Sequence, residues 1–288
     1  HPNRDAAFDR RPLAASDVAI YDAETQPLRR AMRILRKVPE VTVYFWIIKL
    51  LTTAMGESTS DYLVHRFNPY LAVALGGIGL VVALVLQFAV RRYVAWIYWL
   101  AAAMVAVFGT MAADVLHIGL GVPYLVSAVF FSLALALIFA IWYVSEKTLS
   151  IHSISTPRRE LFYWATVITT FALGTATGDL TAYTLHLGFF TSGVVFVALI
   201  ALPALAYWFL RLNAIVAFWF AYIVTRPIGA SFADWLGKPR AAGGLGVGAG
   251  QVSVALALLV IGFVGYLSIT RKDVKDERVS SRDGRTVA

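Results

Sequence analysis

Four stretches of the chain align without a gap: FWIIKLLTTAMGESTSD (45–61), YWLAAAMVAVFGTMAAD (98–114), YWATVITTFALGTATGD (163–179) and FWFAYIVTRPIGASFAD (218–234). Each opens on an aromatic residue followed by a tryptophan (Trp46, Trp99, Trp164, Trp219). Each has a glycine ten residues after that tryptophan (Gly56, Gly109, Gly174, Gly229) and an aspartate fifteen after it (Asp61, Asp114, Asp179, Asp234). Recurrence at fixed spacing marks an internal repeat, and chance is a poor explanation for four copies. A second apolar run follows each stretch, so the repeating unit is a pair of helices.

Composition names the solvent of this surface. Of 288 residues, 59% are hydrophobic and only 15% charged, with a mean hydropathy of +0.70, too apolar for an ordinary soluble domain. Eight runs reach the roughly 20 residues needed to cross a bilayer. They lie near 41–62, 68–90, 95–116, 122–145, 161–182, 187–210, 213–235 and 246–269. The runs are continuous rather than alternating, which favours helices over a barrel. The predicted fold is an all-α integral membrane protein of eight transmembrane helices. All four two-helix repeats enter the membrane in the same direction, with pseudo-symmetry about the membrane normal. The predicted units are repeats at 41–90, 91–145, 146–210 and 211–270, between basic tails at 1–40 and 271–288.

The formal charge of +8 follows the positive-inside rule rather than a nucleic-acid footprint. Twenty Lys and Arg fall on the side of the two tails and the 2–3, 4–5 and 6–7 connections, against three (Arg66, Lys238, Arg240) on the other. Both termini are therefore expected in the cytoplasm of a cell whose inner (plasma) membrane holds the protein. The remaining two, Lys49 and Arg226, fall within spans. The sequence begins at His1, so the true start is expected upstream. Residues 1–40 read as a polar, partly disordered tail without a cleavable signal.

The pattern resembles a bacterial membrane-protein family defined by four tandem two-span repeats of unknown function, each with a tryptophan. The resemblance covers roughly residues 40–270; it implies the architecture and carries no activity.

Helical geometry places the informative residues on one face. At about 100° per residue, the tryptophan and the positions 3, 7, 11 and 14 or 15 further on form one stripe. In repeat 1 it reads Trp46, Lys49, Thr53, Glu57, Ser60, Asp61, and in repeat 3 Trp164, Val167, Phe171, Thr175, Gly178, Asp179. Repeats 2 and 4 contribute Trp99, Thr110, Asp114 and Trp219, Arg226, Asp234. A charge facing lipid costs at least ~2.5 kcal/mol, so the stripes are expected to face one another. Asp61, Asp114, Asp179, Asp234 and Glu57 would then form an acidic ring that attracts cations, with Lys49 and Arg226 as internal counter-ions. Capping or assembly is the structural alternative for these aspartates. The macrodipole argues mildly against it, since an acid at a helix C-terminus is unfavourable.

His65, His117 and His186 follow the repeat aspartates by four, three and seven residues, spacings that keep them on the aspartate face if the helices continue. Carboxylate with imidazole suits Zn²⁺, Mn²⁺, Ni²⁺ or Co²⁺ better than Mg²⁺ or Ca²⁺; the alternative is interfacial histidines in short loops. With no cysteine there is no thiolate site, and with no histidine deep in a span a haem is not expected. The Gly-rich stretch 243–250 lacks the Lys-Ser/Thr of a phosphate loop, and no nucleotide site is expected. The glycines read mainly as close-packing positions, with a local helix break expected at Pro227. The tryptophans read either as an interfacial belt or as a cytoplasmic aromatic gate.

Three functions compete. The leading one is a secondary transporter or exporter of a cation, a divalent transition metal first. The second is an intramembrane metal-dependent enzyme, disfavoured by the absence of H-E-x-x-H and G-x-S-x-G sequences. The third is a non-catalytic scaffold or sensor. The expected partners are membrane lipid, the cation substrate and a second copy of the chain in a homo-oligomer, with no nucleic acid.

Overall fold

The computed structural model describes residues 36–210 and 213–274, without the side chains of 203, 204 and 206–210; of the expected tails at 1–40 and 271–288, residues 1–35 and 275–288 lie outside the described residues. Eight long helices and no strand occur among the described residues. They are α1 (Val43–Arg66), α2 (Pro69–Ala89), α3 (Ala95–Asp114), α4 (Tyr124–Glu146), α5 (Pro157–Asp179), α6 (Gly188–Leu210), α7 (Ala214–Gly237) and α8 (Ala249–Thr270). Local chemistry sets several starts. Thr42, Asn68, Thr156 and Asn213 each accept a first-turn amide with the side chain, and Pro69 and Pro157 open α2 and α5 where no donor is needed.

The odd helices α1, α3, α5 and α7 form an inner ring, each packed on the next, with α7 closing on α1. Each repeat glycine makes one of these crossings. An added Cβ on Gly56 would lie 2.7 Å from the Ala106 backbone carbon, on Gly109 2.8 Å from Phe171 Cβ, on Gly174 2.6 Å from Arg226 Cβ and on Gly229 2.6 Å from Thr53 Cγ2. In every case the residue met is the one three positions before the glycine of the following repeat, and the fourth repeat meets the first. Small residues let helices approach where lipid offers no hydrophobic drive to hold them together.

The aromatic-tryptophan pairs close a second ring at the other end of the same helices. Phe45 meets Trp99, with ring centroids 5.7 Å apart; Tyr98 meets Trp164 at 5.6 Å, Tyr163 meets Trp219 at 6.2 Å and Phe218 meets Trp46 at 5.7 Å. Trp99, Trp164 and Trp219 are buried and Trp46 is partly so, which places them in the core rather than in an interfacial belt.

The even helices lie outside and pack chiefly on the following repeat: α2 on α3, α4 on α5, α6 on α7, and α8 back on α1. Their outward faces are apolar, as with Leu75, Ile78 and Val82 on α2, Phe130, Leu133 and Leu137 on α4, and Leu258 and Ile261 on α8. Five helices (α2, α3 with its extension to Gly119, α4, α7, α8) are long and apolar enough to cross a membrane. The described apolar part of α6, Gly188–Leu202, is shorter. α1 and α5 fall short because they carry much of the polar interior: Lys49, Thr52, Thr53, Glu57, Ser58 and Ser60 on α1, and Glu160, Thr166, Thr170 and Thr175 on α5, all buried by neighbouring helices. The expected break at Pro227 does not occur. α7 runs through it from Ala214 to Gly237, with Arg226 and Pro227 packed against Gly174 of the preceding repeat.

Candidate cation site

The inner ring stacks the stripe residues in layers. Next to the aromatic ring, Lys49 is 1% exposed; its Nζ sits 4.2 Å from the ring centroids of both Phe171 and Tyr222 and has no hydrogen-bond partner. One turn further, the fully buried guanidinium of Arg226 fills the centre. Its Nη2 donates to Glu57 Oε2 at 2.7 Å, to Thr175 Oγ1 at 2.8 Å and to Thr110 Oγ1, and its Nη1 to the Thr53 carbonyl at 3.5 Å. Thr110 also donates to Glu57, at 3.2 Å. Glu57, Thr110 and Thr175 each follow a repeat glycine by one residue. Arg226 therefore ties four repeats together. The stripe pattern had marked each of these residues, but not that one guanidinium would engage all of them.

Beyond this layer lie the four aspartates, and the structure divides them. Lys238 Nζ is 2.5 Å from Asp61 and 3.7 Å from Asp234, so two carboxylates share a tethered ammonium. Asp114 and Asp179 have no such partner. With His117 they offer ligand atoms all within 4.8 Å of one another. His117 Nδ1 is 3.8 Å from Asp179, the imidazole is 2% exposed, and neither ring nitrogen has a hydrogen-bond partner. Glu57, Asp61 and Lys238 all lie within electrostatic range of Asp114.

Repeats 2 and 3 are specialised locally. After Asp114 and Asp179 the α-helix widens into π-helical turns, Val115–Gly119 and Leu180–Thr184, which repeats 1 and 4 lack. Such turns re-aim side chains and recur at functional sites. The first carries His117 inward, where its ring meets Tyr124 at 4.6 Å, and Tyr124 stacks on Tyr183 at 5.9 Å. The other two histidines stand apart. His65 is exposed and hydrogen-bonded to the Asp61 carbonyl at 2.7 Å, so its ring turns back on its own helix. His186 lies past the second π-turn with φ at 55° and is exposed, because the helix that would have kept it on the aspartate face has already ended.

Two carboxylates and one imidazole form a hard-to-borderline donor set. Tetrahedral ligands about 2.1 Å from a transition metal lie about 3.4 Å apart, so modest closure of the trio would supply three of the four positions of such a shell. Together the fold and site define a helical, multi-pass membrane protein built from four pseudo-equivalent repeats around a charged interior. The chain belongs to the family described as Repeat of Unknown Function (DUF347), which matches it four times, at residues 44–93, 97–148, 162–213 and 217–273. No curated protein and no solved structure matches it.

Proposed function

We propose that the protein is a secondary transporter of a divalent transition-metal cation, with all eight helices crossing a bacterial inner membrane and both termini in the cytoplasm. The observation that carries this reading is His117: a buried imidazole with both nitrogens unpartnered, beside Asp114 and Asp179. A buried polar group without a partner is costly, and a metal ion would satisfy it. Helix lengths of 20 to 24 residues suit eight spans, α1 and α5 included.

In this reading the ion enters the aspartate layer from outside and is held by Asp114, His117 and Asp179, with Asp61 and Asp234 reserved by Lys238. Inward passage requires Arg226 to release Glu57. A divalent ion that draws on Glu57, one turn deeper than Asp61, competes with Arg226 for that carboxylate and so couples arrival to opening. Loss of a proton from the carboxylate cluster on ion binding supplies the exchange with a proton gradient.

The test is flux into proteoliposomes holding a metal-sensitive dye, under an imposed pH gradient of either direction. Mn²⁺, Zn²⁺, Ni²⁺ or Co²⁺ should move, and D114N, D179N and H117A should each abolish most of the flux. Failure of the wild type to move any of the four, in either direction, ends the metal reading.

A further inference from the structure

At the end of the bundle that carries the aromatic ring, a cavity of about 440 Å³ opens between the start of α3, the end of α8 and the segment before α1. Arg36, Arg92 and Arg271 line it, together with an apolar wall that includes Val94, Trp96 and Leu267. Among the described residues two acidic ones also line it, and both are engaged: Glu40 pairs with Arg36, and Asp273 accepts the Tyr93 hydroxyl at 2.5 Å. Arg92 and Arg271 are exposed, and their guanidiniums have no hydrogen-bond or ion-pair partner among the described residues. Arg271 stands at the C-cap of α8 with φ at 52°, in the left-handed region.

We propose that this cavity holds the phosphate-bearing headgroup of an anionic phospholipid. Two guanidiniums without a partner among the described residues supply charge-assisted hydrogen bonds to phosphate oxygens. The wall beneath them is apolar, Trp96 is 51% exposed and Ile269 on α8 84%, so the charged mouth adjoins a surface suited to acyl chains. A basic pocket between helices at the membrane boundary is the setting in which anionic headgroups bind. A soluble anion would gain nothing from the apolar wall. The site is independent of the metal reading and shares no residue with it.

The test uses the purified full chain in detergent, titrated with dioleoyl-phosphatidylglycerol, dioleoyl-phosphatidylcholine or inorganic phosphate and read by native mass spectrometry. Phosphatidylglycerol should be retained in preference to phosphatidylcholine. R92Q/R271Q should weaken its retention about thirtyfold. R91Q/R158Q, which removes the same charge outside the cavity, should leave it within about threefold of the wild type. Because Arg92 and Arg271 are exposed, the double variant should melt as the wild type does. Should it not fold, the single variant R92Q carries the same comparison with a smaller loss. Equal retention of the two lipids, or full retention of phosphatidylglycerol by R92Q/R271Q, overturns the proposal. Tight binding of inorganic phosphate that displaces the lipid completely overturns the lipid assignment in favour of a free anion.

Discussion

Arg226 of the fourth repeat and Glu57 of the first form a 2.7 Å ion pair in which both side chains are shut off from solvent. The pair joins the two ends of the repeat array across the centre of the ring. Removing one partner leaves a buried charge, which costs about 3–5 kcal/mol, whereas replacing both with apolar residues costs far less. Glu57→Leu should therefore destabilise strongly, and adding Arg226→Met should recover part of the loss. Strictly additive unfolding free energies in detergent would show that the two groups do not act as a pair.

Gly174→Ala should cost about 1–3 kcal/mol, because its Cβ would lie 2.6 Å from Arg226 Cβ and 3.2 Å from Pro227 Cδ. Gly178, one turn on, has no neighbour closer than 4.0 Å, so Gly178→Ala should be neutral or slightly stabilising. Thermal melts of the two variants side by side decide the matter. Equal tolerance would mean that the inner helices do not touch as described.

Lys238 bridges Asp61 and Asp234. Lys238→Ala should free both carboxylates and raise the amount of divalent metal bound per chain, measured by calorimetry on the purified protein. His65→Ala and His186→Ala should leave binding unchanged, since both residues are exposed and neither belongs to the cluster. A loss of binding on changing either histidine would return them to the ligand set.

A pH effect should appear at the end of the bundle opposite the aspartates. Burial raises the Asp273 carboxyl above its usual range, more than the Tyr93 hydrogen bond lowers it. Because the folded value lies above the unfolded one, this group's contribution to stability is fully present below the unfolded value of about 4 and is lost as pH rises through the folded value. Asp273→Asn should abolish that loss, so the melting temperature of the variant should gain on that of the wild type as pH rises from 4 to 7. A constant difference between the two would contradict the assignment.

Topology reporters fused after residues 67, 120, 185 and 241 should report the exterior, as the distribution of Lys and Arg requires. A cytoplasmic signal at any of the four would remove a span from the count of eight.

The four-repeat, all-helical, membrane-embedded architecture was legible in the sequence because each part of it is local or periodic. A 20-residue apolar run, a Thr or Asn cap and a tryptophan-glycine-aspartate spacing are readable without knowing any neighbour. The convergence of charges on one face was also readable, since helical period alone places Lys49, Glu57 and Asp61 together. What the repeat pattern left undecided was how four similar copies diverge. Asp61, Asp114, Asp179 and Asp234 are equivalent in sequence, yet two of them lie against Lys238 and two against His117. The π-helical turns that swing His117 inward and end α5 before His186 occur in two repeats and not in the other two, so the shared spacing does not specify them. Likewise, that each glycine fits a residue of the next repeat, and that Arg226 reaches three others, follows from closure of the ring. Closure is a long-range contact between residues as far apart as Thr53 and Gly229. Periodicity fixes which face of a helix is buried; only the packed neighbours decide what that face meets.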